Sequence, residues 1–429
     1  MLTMAVPYTS QEFAREMAAL GLTPGDGPFA VATSGGPDSM ALALLFAGWG
    51  KATYLIFDHG LRNGSAAEAR QVGQWLENKG HSHKILTWQG AKPTSDIQAQ
   101  ARAARYQALE GWCRSNGVTA LLLGHTHDDQ AETFLMRLLR GSGVDGLAAM
   151  AAVAPPVTGN NGPKLVRPLL GVAKARLKEF LKAEGQDYIT DPSNENPAFL
   201  RVQVRRLLAA SDIEGFNADT LVKTASRMAR VKGVLDSLTR EVLKNSLQVF
   251  DEGYGRLDTP GLLAAPEEIG LRALSKALVA FGGGRYPPRL EKLERLYQAL
   301  KEKDFSGATL AGCQIFPDHE GFIYFCREAS KISQTLSLNP GERAIWDRRF
   351  EVSLKEGGTP GEVRALGEGG WTSLVQNHPG LKQTPIPFPV KVGLPALFTS
   401  GGVVEVPHLH FPASNGHLAI SDPVAAKLL

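Results

Sequence analysis

FAVATSGGPDS, residues 29–39, sets a short apolar run directly against a glycine-rich turn that closes on an aspartate and a serine. Lacking a Cβ, Gly35 and Gly36 can take positive φ and bring backbone amides close to an anion. Ser34 and Ser39 add hydroxyl donors. The apolar run Met40 to Phe46 predicts a helix whose N-terminus, with its unpaired amides and positive dipole end, faces whatever the turn holds. Strand, glycine turn and helix in that order predict a phosphate site. No GxxxxGK[ST] occurs in the chain, so the lysine-bearing type of phosphate loop is excluded.

Outward from this turn, short β-like runs alternate with helical ones as far as Leu139. Strands are expected at 29–33, 52–57, 84–88 and 120–124, and helices near 39–47, 65–79 and 96–115. The alternation predicts an α/β fold with a parallel, Rossmann-like sheet covered by helices. Ligands of such sheets sit at the carboxyl ends of the strands. Three motifs fall there: SGGPDS, DHGLR (58–62) and GHTHDDQAET (124–133). They should converge on one site. The first domain is expected to run over 1–215. A helical middle domain over 216–335 follows, with Leu290, Leu293, Tyr297 and Leu300 as a core stripe. A small strand-rich domain over 336–429 closes the chain, with β-like runs at 350–354 and 402–406.

The chain has 429 residues, 43% hydrophobic and 21% charged, and a net charge of +3, which suits a multidomain enzyme and permits a nucleic-acid partner. No apolar run is long enough to span a membrane, and the N-terminus has no basic region followed by an apolar stretch, so a cytoplasmic protein is expected. Cys113, Cys313 and Cys326 lie far apart with no CxxC pair and read as core residues.

Within GHTHDDQAET, two acidic side chains, Asp128 and Asp129, fall at the strand end, while Asp129, Glu132 and Thr133 have a spacing that puts them on or near one helix face. Carboxylates beside a phosphate site can bind magnesium, orient an ammonium group or accept a proton from an attacking amine. Capping alone explains one acidic residue at a helix start, but not the group. His125, His127 and the aspartates also resemble the HxHxDH zinc pattern, yet Gln130 stands at its last position and SGGPDS would be left without a purpose. Gly141, Gly143 and Gly146 spell GxGxxG but follow a helix, so the dinucleotide context is missing; with Arg140 they suggest a basic loop near the pocket. After DPSN (191–194), Arg201 and Arg205 are four residues apart, with Arg206 beside them, and can grip phosphate from one helix face. Lys223, Arg227 and Arg230 have helical spacing suited to a nucleic-acid backbone or a solvated face.

SGGPDS resembles the pyrophosphate loop of the ATP pyrophosphatases. Taken with DHGLR, GHTHDDQAET, LLRGSGVDGLAAM (138–150), RPLL (167–170) and DPSN with its arginines, the chain resembles the tRNA(Ile)-lysidine synthases. The resemblance implies a bacterial ATP-dependent ligase. Such an enzyme adenylates the C2-carbonyl oxygen of cytidine 34 in the CAU anticodon of tRNA(Ile) and attaches the ε-amine of free L-lysine, changing codon reading from AUG to AUA. ATP would sit on Ser34, Gly35, Gly36, Pro37, Asp38 and Ser39, with His59 and Arg62 lining the nucleotide site and Asp38 near Mg2+. Asp128, Asp129 and Glu132 would hold the lysine ammonium and take up a proton, and Arg201 and Arg205 would neutralise charge as pyrophosphate and AMP depart. A homodimer is compatible with the resemblance. Two positions depart from the family pattern: Thr126 replaces a frequent second histidine and Val202 a frequent asparagine. The alternatives are another adenylating ATP pyrophosphatase, an amidotransferase-type synthetase or a tRNA thiolase, and a tRNA-binding protein without activity. Dependence on lysine separates the lysidine-forming ligase from the other adenylating enzymes, and the lack of CxxC counts against the thiolase.

Overall fold

The computed structural model describes residues 5–90, 92–159, 162–190, 196–284, 286–302, 304–318, 320–412 and 416–421. They divide into two compact units, Met1–Gly233 and Val234–Leu429.

The first unit opens with helix α1 (Ser10–Ala19). It continues β1 (Phe29–Ala32), α2 (Pro37–Ala47), β2 (Ala52–Asp58), α3 (Ser65–Asn78), β3 (His83–Thr87), α4 (Ile97–Ser115), β4 (Ala120–Leu123) and α5 (His127–Leu138). From β1 to β4 these are the strands and helices that the alternation predicts, whereas α1 was not expected. After α6 (Val144–Leu147) come β5 (Val153–Ala154), β6 (Lys164–Val166), α7 (Lys174–Ala183), α8 (Leu200–Ala210) and α9 (Ala218–Ser246), within which the division between the units falls.

The sheet order is β3-β2-β1-β4-β6-β5. All neighbours are parallel except β5 and β6. Side chains alternate between two cores. Phe29, Val31, Tyr54, Ile56 and Leu122 pack on one face with α2, α3 and α7, and Ala30, Leu55, Leu121, Leu123 and Leu165 pack on the other with Tyr106, Leu109 and Cys113 of α4. The chain builds β2 and β3 to one side of β1, then returns to place β4 on the other. The crevice between the carboxyl ends of β1 and β4 is therefore the topological switch point, where such sheets bind ligands.

In the second unit, a five-stranded antiparallel sheet takes the order 247–250, 254–258, 322–327, 313–317, 308–310. Helix Glu267–Gly282 lays Leu274, Ala277, Leu278 and Phe281 onto it. The helical middle segment thus also contains the hairpin Leu247–Phe250 and Tyr254–Asp258, which local spacing did not reveal. Its register partner Phe322–Arg327 lies far along the chain, Ile323 opposite Leu257. Beyond it stand a four-stranded and a three-stranded antiparallel sheet. They include Phe350–Leu354 and Gly402–Glu405, where β-like runs were expected. The three cysteines are buried and free. Among the described residues no helix is long and apolar enough to cross a membrane.

Candidate active site

The glycine turn between β1 and α2 takes a positive φ at Gly35 but not at Gly36, whose φ is −70°. Gly35 has φ +87°, and a Cβ there would stand 2.6 Å from Val72 Cγ2 and 2.9 Å from Ile189 Cδ1. Gly36 is the N-cap of α2 and brings no side chain to occupy its amides. Pro37 takes the first helical position, where a missing N–H costs nothing. The start of α2 is therefore open to an anion. The serines have a second task. Ser39 Oγ accepts from Ser34 N at 3.1 Å and donates to Gly36 O at 2.9 Å, tying the turn across itself. Exchange of Gly35 for Ala should cost about 2–4 kcal/mol, from the positive φ and the collision with Val72. ATP affinity should fall with it, as nucleotide titration and urea unfolding of G35A would measure.

Asp38, in the first turn of α2, is half-buried, and its Oδ1 has no hydrogen-bond partner. Burial, reinforced by Asp129 and Asp128 and opposed by Lys174, pushes its carboxyl up to about 6. An ionisable oxygen with open lone pairs at a phosphate loop suits a hard cation. Among the described residues no group of three His, Cys, Asp or Glu is arranged to hold a metal, so Mg2+ at Asp38 would need phosphate oxygens and water to complete its shell.

At the end of β4, Thr126 caps α5. Asp129 Oδ2 accepts from Thr126 N and Oγ1, both at 2.9 Å, and Asp129 N returns a bond to Thr126 Oγ1 at 3.4 Å. This capping box gives the threonine found in place of histidine a structural task. The other oxygen of Asp129 is 3.1 Å from Lys174 Nζ and 3.4 Å from Arg201 Nη2. Burial disfavours the Asp129 charge, but Lys174 and Arg201 outweigh it and hold the carboxyl below its ordinary value. Asp128 Oδ2 accepts from Lys174 N at 2.8 Å, fastening the start of α7 to the start of α5. Glu132, 2% exposed, receives Arg201 Nε at 2.5 Å and Arg205 Nε at 2.8 Å. The two arginines share a face as their spacing predicts, and in this structure that face meets Glu132. Val202, between them in sequence, is buried.

Sequence reasoning missed Lys174. Its Nζ lies 3.1 Å from Asp129 and 3.6 Å from Asp38 Oδ2, linking the acidic pocket to the phosphate loop. Burial opposes its charge, yet Asp129, Asp38 and Glu132 override it and raise its pKa. A signal was present: Lys174 is the first residue of a helix, where the dipole disfavours a cation.

DHGLR closes β2 with its own bonds. Asp58 Oδ1 accepts from Gly60 N and Ser65 Oγ, His59 Nδ1 accepts from Leu61 N, and Arg62 forks onto Glu68. His59 and Arg62 thus stand at the end of the strand beside β1, and these contacts shape their loop. His127 Nε2 lies 3.2 Å from Asp219 Oδ1, while His125 Nδ1 is buried without a partner. The GxGxxG loop follows α5. DPSN (191–194) lies outside the described residues.

A glycine-rich anion turn at the switch point of a parallel sheet, with carboxylates facing it from the next strand, defines an ATP-using PP-loop domain. A family model described as a PP-loop domain matches residues 9–211. Over 385 residues the chain is 38% identical to a tRNA(Ile)-lysidine synthase of Ruegeria pomeroyi, covering 88% of this chain and 87% of that one. It is 36% identical to that of Wolbachia pipientis wMel, covering 76% of each chain. It is 41% identical to that of Rhodopseudomonas palustris, covering 63% of this chain and 80% of that one. The chain belongs to the tRNA(Ile)-lysidine synthase family.

Proposed function

We propose that the protein forms lysidine: it adenylates the C2-carbonyl oxygen of cytidine 34 in a CAU-anticodon tRNA(Ile) and then attaches the ε-amine of free L-lysine. The observation that supports this reading is the position of Lys174 Nζ, which lies between Asp38 of the glycine turn and Asp129 of the acidic pocket.

In the first step the cytidine O2 attacks the α phosphate and pyrophosphate leaves. The open amides at the start of α2 receive the polyphosphate charge and hold it in line. Mg2+ held by Asp38 supplies further neutralisation of phosphate charge when bound. In the second step the lysine nitrogen attacks C2, the C2–O2 bond breaks, and AMP leaves with that oxygen. The ammonium must lose protons to attack; we assign Asp129, kept ionised by Lys174 and Arg201, to orient it and Asp128 to receive a proton. Glu132 acts with Arg201 and Arg205, which it holds as cations facing the site while anionic products depart.

On α9, Lys223, Arg227 and Arg230 line a cleft of about 240 Å³ with His127 and Asp219. This is a basic surface for the tRNA backbone close to the start of α5. We assign residues 1–215 to catalysis and 216–335 and 336–429 to grip of the tRNA.

The test is AMP release from labelled ATP with CAU-anticodon tRNA(Ile), with and without lysine, followed by mass analysis of nucleotide 34. A mass gain equal to lysine minus water, dependent on both substrates, supports the reading. AMP release that proceeds only with another acceptor would overturn it.

A further inference from the structure

We propose that Arg102, Arg105 and Arg167, gathered around the Tyr106 hydroxyl beside His125, form a second phosphate-binding subsite, separate from the glycine turn. The proposal rests on the ligase reading only in taking ATP and tRNA as the available sources of phosphate.

Arg102, Arg105 and Tyr106 sit in the early turns of α4, which begins at the carboxyl end of β3. Arg102 is three residues before Arg105 and four before Tyr106, a spacing that shares one helix face, and Arg105 adjoins Tyr106 in sequence. Arg102 Cζ lies 5.0 Å from the Tyr106 ring centroid and Arg105 Cζ 5.5 Å. Arg102 Nη2 donates to the Tyr106 hydroxyl at 3.2 Å. Arg167 arrives from the carboxyl end of β6 and is buried; its charge acts on the same hydroxyl. One of its nitrogens, Nη1, donates to Ala151 O at 2.8 Å, while Nε is buried with no partner. His125, one residue past Gly124 at the end of β4, adds a second buried nitrogen with no partner, Nδ1. The subsite therefore stands on the carboxyl edge of the same sheet, across β4 from the glycine turn.

Three guanidiniums so placed repel one another. Among the described residues no carboxylate forms an ion pair with any of them. Glu110, one turn beyond on α4, is engaged instead by Val157 N and by Thr158. Burial, together with repulsion from Arg102, lowers the pKa of both Arg105 and Arg167. Concentrating cations without a counter-charge is costly unless an anion completes the group. Planar forks with unused donors match phosphate oxygens in particular. Arg201 of the acidic pocket adds a smaller repulsion to Arg105. A phosphate here belongs either to ATP or to the tRNA backbone near the reacting nucleotide.

The experiment compares the full chain with Arg102→Gln and Arg167→Lys, folding being checked first by thermal melting. ATP binding is measured by calorimetry without tRNA, and tRNA binding by filter retention across a salt series without ATP. If ATP is the source, ATP affinity falls about tenfold and tRNA binding is unchanged. If the tRNA backbone is the source, tRNA affinity falls by a similar factor, the slope of log K against log salt flattens by about one, and ATP binding is unchanged. Either result supports the subsite. Folded variants with unaltered affinity for both would overturn it. If Arg167→Lys does not fold, Arg102→Gln decides alone, because its side chain is exposed. Neither readout requires lysine transfer, so failure of the ligase reading leaves this test intact.

Discussion

Asp38→Asn is expected to abolish AMP formation, by about a thousandfold or more, while making the free protein more stable at neutral pH. The two effects share one cause. The Asp38 carboxyl stands in a site that disfavours its charge, first through burial and then through Asp129 and Asp128, and is pushed up from 3.8 to about 6. With a folded-state pKa above the unfolded value, the group gives a stability contribution that is fully present below 3.8 and lost as pH rises through about 6. At pH 7 the native state therefore carries an ionised carboxylate at a cost. Two pKa units correspond to nearly 3 kcal/mol; allowing for solvent screening and for the lost attraction to Lys174, a neutral amide should recover about 1–2 kcal/mol. Urea unfolding at pH 7 and pH 4 would measure this, the advantage of D38N shrinking at the lower pH. The activity lost is the function proposed for that charge, a hard oxygen ligand beside the phosphate turn. A D38N protein that released AMP at the wild-type rate would remove Asp38 from the site.

Glu132→Gln should be the most damaging single change in the acidic pocket. Both carboxylate oxygens are used, one by Arg201 and one by Arg205, and the side chain is almost fully enclosed. An amide can accept from one arginine but must point N–H groups at the other. Because both guanidiniums are partly exposed, water softens the loss, and about 1–2 kcal/mol of stability is expected to go. The kinetic effect should be larger: with α8 released from α5, kcat for lysine transfer should drop by about a hundredfold and KM for lysine should rise. Lysine titration beside an unfolding curve tests this. A normal KM and kcat in a destabilised protein would confine Glu132 to holding α8 in place.

The first unit was legible in the sequence because its signals are local. Apolar strands of β-length, a turn that needs a glycine at Gly35, and a helix of apolar residues each declare themselves within a dozen residues. SGGPDS and GHTHDDQAET could be placed at strand ends for the same reason, and parallel order brought them together. What stayed hidden depends on distant segments. Lys174 enters the pocket only because α7 folds back beside α2 and α5, a contact no spacing rule reports. Arg201 and Arg205 were recognised as a pair, but their carboxylate partner lies on another helix. Asp129 combines the capping bond, which its position suggests, with an ion pair to Lys174, which nothing local suggests. In the second unit, Leu247–Phe250 and Tyr254–Asp258 are short strands in a helical neighbourhood, and their sheet is completed by residues some way downstream.

Gly124, the residue after β4, lies against the first turn of α2. A Cβ at this position would lie 3.0 Å from the carbonyl oxygen of Asp38 and 3.1 Å from the Cα of Ser39. The backbone that leads into the carboxylate motif thus touches the backbone that cradles phosphate. Both neighbours are main chain and cannot swing aside as a flexible side chain would. The phosphate turn and the carboxylate motif therefore share a single wall, and its thickness is the width of one absent methyl group.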